Sequence, residues 1–106
     1  MDILKVSAKS SPNAVAGAIA GILREQNSVC VQIIGAGALN QAIKAIAIDR
    51  SFLEDDGVDP VCIPTFHDVE IAGENRTAIR LLVEDRLMRP RTAVVPEPAA
   101  AVPADA

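Results

Sequence analysis

The stretch from Ile33 to Ile48, IIGAGALNQAIKAIAI, limits the possible folds of this chain more than any other part of the sequence. It begins with β-branched residues, passes through the Gly35–Gly37 turn, and continues from Ala38 as an apolar pattern of helical period. This switch of period predicts a strand, a tight turn and a helix in direct succession. Nucleotide-binding folds place phosphate groups at such turns, so the neighbouring residues decide whether this turn is a cofactor site.

Those neighbouring residues do not match a nucleotide signature. A dinucleotide fingerprint requires a third glycine where this chain has Asn40, and no Gly-Lys-Ser/Thr sequence follows the turn as a P-loop would require. Asp55 and Asp56 lie at about the distance of a ribose-binding acid, but in a predicted turn. The sequence therefore predicts no cofactor, and the two glycines instead allow a sharp turn that brings the helix close to the sheet.

The chain before this stretch predicts one strand and one helix. Alternation over residues 3–8 indicates a strand with Leu4 and Val6 facing the core. A helix is predicted over residues 12–26, because Ser11 can act as its N-cap and Pro12 suits its first position.

Small residues on this first helix raise a packing question. Gly17 and Gly21 form a stripe without side chains, and each costs about 1 kcal/mol relative to alanine in a helix interior. We therefore expect a backbone or a partner helix to pack closely against that stripe.

Three further strands complete the predicted order. Residues 29–34 form a nearly continuous apolar run, which is typical of an inner strand. Residues 61–71 and 76–85 predict a hairpin, and Pro64 places its first strand at a sheet edge or in a bulge. The order β-α-β-α-β-β predicts one α/β domain over residues 1–86, in an α+β two-layer arrangement. Residues 87–106, rich in Pro and Ala without periodicity, predict a disordered tail.

The pattern of the second helix leaves one residue unassigned. One predicted face holds Leu39, Ala42, Ile43, Ile46 and Arg50, whereas Ile48 falls on the other face with the polar residues Gln41 and Lys44. The sequence predicts Ile48 to be exposed, either incidentally or as a subunit contact.

No pattern in the sequence points to catalysis or metal binding. His67 is the only histidine and has no placed nucleophile beside it. Cys30 and Cys62 lie in separate apolar runs without metal-ligand spacing, which predicts two buried, reduced thiols. We therefore predict no enzyme, no catalytic residues and no metal. The start of the sequence lacks a signal peptide, and no apolar run approaches membrane-spanning length, so we expect a cytoplasmic protein without a membrane partner.

The net charge of the chain limits which kinds of partner it binds. The formal net charge is −4, and residues 1–86 carry 8 Lys and Arg against 12 Asp and Glu because the tail holds two of each sign. Proteins that mainly coat DNA usually carry a positive field, since counterion release supplies much of their affinity. Only Phe52 and Phe66 are aromatic, so stacking on unpaired bases is also disfavoured.

Several motifs resemble the stage V sporulation protein S family of bacteria. They are MDILKVSAKSSPNAVAGAIAGILRE and IGAGALNQAIKAIAIDRSFL, followed by GVD, CIP and ENRTAIRLLVE, and they cover residues 1–86. The resemblance implies a regulator of sporulation or related development without accepted catalytic activity. It also implies a fold like that of the Alba chromatin proteins, with a four-stranded mixed sheet and two helices on one face.

The resemblance to the Alba proteins also implies a site. Those proteins dimerise and bind DNA or RNA through the loop after the first strand, the turn before the second helix, and the hairpin of the last two strands. On this chain the implied nucleic-acid-binding residues are Lys9, Ser10, Ser11, Asn13, Asn40, Lys44 and Arg76.

Two interpretations of the function remain open from the sequence. The first is a nucleic-acid-binding regulator that forms a homodimer or a higher homo-oligomer. The second is a protein-interaction or self-assembling scaffold module with weak or no nucleic-acid binding. The second is favoured by the acidic balance, by the alanines in the second-helix turn, and by spare apolar surface such as Ile48. The acids of the hairpin, Asp68, Glu70 and Glu74, weaken the first.

Overall fold

The computed structural model describes residues 3–88 and shows the six predicted elements in the predicted order. They are β1 (Ile3–Val6), α1 (Pro12–Gln26), β2 (Ser28–Ile33), α2 (Ala36–Leu53), β3 (Pro60–Ile71) and β4 (Glu74–Asp85), followed by a 3-10 turn over Arg86–Met88. The predicted bounds of α1 are confirmed at both ends. β1 ends two residues before its predicted end, and α2 begins two residues earlier than its apolar period indicated.

The four strands form one mixed sheet in the order β1-β2-β4-β3. β1 and β2 pair in parallel, whereas β2 with β4 and β4 with β3 pair antiparallel. β2 is an inner strand, as its continuous apolar run predicted. β3 lies at the edge, where the missing N–H of Pro64 removes no central ladder bond, and its register with β4 runs through Pro64 without a bulge.

Both helices cover the same face of the sheet, which confirms the two-layer architecture. The shared core combines strand and helix residues: Val6, Val29, Val31, Ile33, Leu81 and Val83 from the strands, and Ala16, Ile19, Ala20, Leu23, Ala38, Ala42, Ala45, Ile46 and Leu53 from the helices. Leu4 packs against this cluster as predicted.

The buried face of α2 differs from the predicted one. It includes Ala38, Ala42, Ala45 and Asp49, all fully or nearly fully buried, whereas Ile43 is 45% exposed. Ile48 is half-buried and packs against the core, so the prediction that it is exposed was wrong. A charged residue inside the buried stripe and small alanines along it conceal the true face from a hydropathy pattern.

The glycine stripe of α1 is exposed to solvent. Nothing lies within 4 Å of a Cβ built on Gly17 or Gly21, so the described part of the chain supplies no partner for the stripe. The predicted close packing is therefore absent within the single chain.

The sheet face opposite the helices is covered by no described helix, and we call it the open face. Strand alternation places residues from all four strands on it, including Ile3, Lys5, Cys30, Gln32, Val61, Ile63, Thr65, His67, Ala78, Arg80, Leu82 and Glu84.

The two thiols lie on opposite faces of the sheet. Both are free, as predicted. Cys30 is buried on the open face, whereas Cys62 is only half-buried and packs against the core on the helix side. Burial raises the pKa of the Cys62 thiol, which keeps it protonated.

The predicted tail lies almost wholly outside the described residues. Leu87 belongs to the 3-10 turn, and its backbone N–H donates to Asp85 Oδ1 over 3.0 Å. Residues 89–106 are not described, so the predicted disorder of that segment stays a prediction.

Candidate functional site

One edge of the sheet brings together the segments that the sequence singled out. Because β1 and β2 are parallel, the loop of residues 7–11 that follows β1 and the start of α2 that follows β2 meet at the same edge. We call residues 7–11 together with residues 34–41 the loop edge. Of the seven predicted site residues, Lys9, Ser10, Ser11 and Asn40 lie within it, and Asn13 follows in the first turn of α1. Lys44 lies midway along α2, about 12 Å along the helix axis from Ala36.

The loop after β1 is held by its own serines. Ser7 N–H donates to Ser10 Oγ over 3.0 Å, Ser10 N–H donates back to the Ser7 carbonyl over 3.1 Å, and Lys9 N–H donates to Ser7 Oγ over 3.2 Å. These bonds fix the backbone while the Lys9 side chain stays exposed. A single lysine is thus presented from an ordered turn.

The start of α1 adds a positive pole beside Lys9. Ser11 is the N-cap, with extended backbone angles, and its Oγ accepts from Ala14 N–H over 3.4 Å. Pro12 occupies the first turn as predicted, and Asn13 is exposed next to it. The unpaired N–H groups of a helix start carry partial positive charge, which favours anions at this point.

The start of α2 is fixed against the loop after β1. Gln41 Nε2 donates to the Ser10 carbonyl over 2.9 Å, and a Cβ on Gly37 would lie 2.8 Å from Ala8 Cβ. Gly35 caps the helix with φ of +89°, a conformation that glycine adopts without strain. The glycines therefore serve the backbone turn, as predicted, but the close neighbour of Gly37 is the loop rather than the sheet.

Gln41 is the positioning residue that the sequence analysis missed. The pattern assigned it to a solvent face of α2, whereas the structure places it half-buried against the loop. A glutamine in the second turn of the helix after a glycine turn was the only signal in the sequence, and it does not indicate which loop lies opposite. Asn40 and Lys44, four residues apart on α2, both remain exposed beside it.

Arg76 lies apart from the other predicted residues. β2 ends at Ile33, opposite Ile79 of β4, so the hairpin projects beyond β2 at the loop edge. We call residues 66–78 the hairpin arm. Arg76 pairs with Val69, three residues beyond Ile79, which places it about 10 Å past the end of β2. The structure therefore brings five of the seven residues to the loop edge, places Lys44 midway along α2, and sets Arg76 on the projecting arm.

Strand alternation sorts the charges of the hairpin arm between its two faces. Arg76 and His67 lie on the open-face side, whereas Asp68 and Glu70 lie on the other side. Glu74 shares the side of Arg76 but lies at the tip of the arm. Two of the three hairpin acids that weakened the nucleic-acid interpretation, Asp68 and Glu70, thus face away from Arg76.

The opposite edge of the sheet gathers most of the acids, and we call it the acidic edge. Its residues are Glu25, Glu54, Asp55, Asp56, Asp59, Glu84 and Asp85. Arg24 pairs there with Asp56 over 2.9 Å, and Arg50 and Arg86 both pair with Asp59, over 3.5 and 2.5 Å. The hydrogen bond from Arg86 holds the pKa of Asp59 below its usual range.

Asp49 is a buried carboxyl on the half of α2 nearer the acidic edge. Its side chain is fully buried, and neither carboxylate oxygen has a hydrogen-bond partner. Burial raises the pKa of Asp49 to about 7, against a smaller opposing effect of the Arg24 charge. This carboxyl is protonated in the folded protein over much of the acidic and neutral range.

Two further features bear on chemistry. Within residues 3–88, no group of three or more His, Cys, Asp or Glu side chains is arranged to hold a metal ion. Across the same residues, no helix combines the length and apolar character needed to cross a bilayer.

The fold and the site together define a class: a small two-layer α+β domain with an ordered polar loop edge, a projecting hairpin arm and an acidic opposite edge. The model of the stage V sporulation protein S family matches residues 2–86, which is most of the chain. The chain belongs to that family. The membership indicates a sporulation-related role and confirms the resemblance drawn from the motifs.

Proposed function

We propose that this protein is a non-enzymatic, cytoplasmic, dimeric regulator that binds nucleic acid through the loop edge. The observation that carries the proposal is the meeting of Lys9 and the Ser11-capped helix start at one edge, with the acids gathered at the other. Lys44 adds a second exposed cation midway along α2. Among the described residues, neither lysine forms an ion pair. An anion at the loop edge gains both the Lys9 charge and the positive pole of the α1 start.

The negative total charge does not oppose this proposal. Three arginines of the acidic edge are already paired with carboxylates, whereas Lys9 of the loop edge and Lys44 of α2 are available to phosphates. Phosphate contacts position a nucleic acid without reading its sequence, and serine hydroxyls and backbone N–H groups make such contacts together with lysine. The geometry thus supports nucleic-acid binding that depends little on nucleotide sequence.

The decisive experiment compares Lys9→Ala with Arg50→Ala. Both side chains are exposed cations, but Arg50 lies at the acidic edge. Binding to 20-nucleotide duplex DNA, single-stranded DNA and single-stranded RNA is measured by fluorescence anisotropy between about 50 and 200 mM salt. Lys9→Ala is expected to weaken the binding of all bound probes about equally. It is also expected to lower the salt slope, the magnitude of the slope of log K against log salt concentration, by about 1, while its free energy of unfolding stays within about 0.5 kcal/mol of the wild-type value. Arg50→Ala is expected to leave the slope unchanged.

The scaffold interpretation is the second candidate, because the hairpin arm carries exposed apolar side chains. Phe66 is 51% exposed and Ile71 is 45% exposed. Absence of wild-type binding to all three probes at about 50 mM salt, where phosphate contacts are strongest, would exclude the nucleic-acid proposal and favour a protein partner for the arm.

The dimer is proposed from the surfaces that one chain leaves uncovered. The glycine stripe of α1 has open space beside it, and Ile43 of α2 is largely exposed. Light scattering is expected to give twice the chain mass. A Cβ at Gly21 has nothing within 4 Å in the single chain, and Gly21→Leu is expected to reduce that mass to one chain. A wild-type monomer at tens of micromolar would contradict the dimer, and an unchanged mass in Gly21→Leu would place the contact elsewhere.

A further inference from the structure

The open face carries one continuous polar row across all four strands. Lys5 of β1 pairs with Gln32 of β2, Gln32 pairs with Arg80 of β4, and Arg80 pairs with Thr65 of β3. Direct cross-strand partners point to the same side of a sheet, so the four side chains share the open face. We call these four residues the polar row.

The neighbouring row on the same face is apolar. It consists of Ile3, Cys30, Leu82 and Ile63, which are paired across the strands in the same way. The polar row therefore lies between an apolar row and the loop edge, one residue before the ends of β1 and β2. Its position makes it continuous with the loop edge, since Lys5 and Lys9 belong to the same strand and its following loop.

The guanidinium of Arg80 is oriented but not neutralised. Arg80 Nε donates to Gln32 Oε1 over 3.0 Å, and Thr65 Oγ1 donates to the Arg80 carbonyl over 3.5 Å. Arg80 is half-buried, and among the described residues it forms no ion pair. The neutral amide of Gln32 accepts from Nε of the guanidinium group and leaves its terminal N–H groups for another acceptor.

Acids do not compete for the polar row. Of the three arm acids, Asp68 and Glu70 lie on the other side of the sheet, and Glu74 lies at the tip of the arm, about 20 Å along β4 from Arg80. Glu84 is four residues from Arg80 on the open face, about 13 Å along the strand and beyond the apolar row. A half-buried, oriented cation beside Lys5 and away from carboxylates is suited to an anion from outside the chain.

We infer that the polar row is a second phosphate-binding subsite, at which Arg80 and Lys5 contact the backbone of the nucleic acid held at the loop edge. This inference rests on the proposed function. Arg80 and Lys5 stand two strands apart, so their Cα atoms are separated by about 10 Å, and Arg76 continues the same side along the hairpin arm. Gln32 is a positioning residue, since it orders the guanidinium before the phosphate arrives.

The test removes each charge of the polar row separately. Arg80→Gln and Lys5→Gln are compared with Arg50→Gln, which removes an exposed cation from the acidic edge. The probe is whichever of the three oligonucleotides the wild type binds most tightly. Arg80→Gln is expected to weaken binding about tenfold at about 50 mM salt, and each of the two variants to lower the salt slope by about 1. The control is expected to leave affinity and slope unchanged.

A third variant isolates the positioning role. Gln32→Ala keeps every charge, so the salt slope is expected to stay at the wild-type value while affinity falls, because Arg80 must then be ordered on binding. Lys5 is exposed, so Lys5→Gln stays folded and decides the question if Arg80→Gln melts early.

Three outcomes would overturn the inference. If Lys9→Ala lowers the salt slope but Arg80→Gln and Lys5→Gln do not, the proposed function stands and the second subsite is wrong. If Arg80→Gln changes the mass in light scattering without changing affinity, the open face is a contact between copies of the chain. If the wild type binds none of the three oligonucleotides, the proposed function and the subsite fail together.

Discussion

The loop edge and the acidic edge are built from the same helices and strands, yet they treat charge in opposite ways. At the acidic edge, Arg24, Arg50 and Arg86 are paired with carboxylates of Asp56 and Asp59. At the loop edge, hydrogen bonds organise the backbone and the Lys9 side chain is left to solvent. The difference shows that a net charge of −4 describes the sum of two unlike regions rather than the surface that a ligand meets.

The largest effect that the comparison predicts is a loss of stability with rising pH. It arises from a buried carboxyl group on the half of α2 nearer the acidic edge. Asp49 has a pKa of about 7 in the folded protein against an ordinary 3.8, so the folded state binds its proton more tightly than the unfolded state. This contribution is complete below the unfolded pKa and is lost as pH rises through the folded one. The free energy of unfolding is expected to fall by about 3 kcal/mol between pH 5 and pH 8.

Urea unfolding at fixed protein concentration measures this change, and Asp49→Asn is the matched variant because it keeps the shape and removes the charge. Its stability is expected to change little over the same pH range. Asp59, whose pKa is lowered, stays ionised throughout that range and does not mask the effect. A wild-type stability that is flat from pH 5 to pH 8 would show that the Asp49 carboxyl is solvated and would contradict its burial.

A smaller effect is expected from the contact that joins the two halves of the loop edge. Gly37→Ala places a Cβ 2.8 Å from Ala8 Cβ, so the loop or the helix must shift, and the free energy of unfolding is expected to fall by about 2 kcal/mol. Ala8→Gly in the same chain removes the opposing atom and is expected to restore most of the loss. Failure of this double variant to recover would mean that Gly37 is needed for its backbone rather than for the close approach.

The sequence predicted the fold well where local signals were strong. Ser11 and Pro12 fixed the start of α1, and Pro64 correctly placed β3 at the edge, because these residues act through their own backbone chemistry. The face of α2 was predicted less well, since a buried Asp49 interrupts its apolar stripe. That a carboxyl group is buried can be recognised only when the packing around it is known.

The candidate site was predictable in its parts and not in its arrangement. The resemblance supplied Lys9 and Lys44, but the bond from Gln41 to the Ser10 carbonyl joins residues 31 positions apart. Likewise, the hairpin sequence contains Arg80 as well as Arg76, but the predicted site omitted Arg80, whose partner Gln32 lies 48 positions away. Such pairs depend on strand order and register, which periodicity alone does not provide.

The smallest effect is expected at the hairpin arm. Its two faces differ in charge as the two edges of the sheet do. Arg76 and Glu70 lie on opposite faces near the same level of the arm, since Arg76 pairs with Val69 and Glu70 with Asn75. Arg76→Gln is expected to weaken binding about threefold and to lower the salt slope by up to 1, because it removes one cation from the side that continues the polar row.

Glu70→Gln is the control on the other face of the arm, and it separates a local contact from a general charge effect. If only local contacts matter, this variant leaves the affinity and the salt slope at their wild-type values, although it makes the protein less negative by one charge. If Glu70→Gln strengthens binding as much as Arg76→Gln weakens it, the nucleic acid responds to total charge, and the division of the arm into two faces has no functional meaning. Measuring both variants with the same probe and salt series therefore decides whether strand alternation, rather than composition, determines which charges a nucleic acid meets.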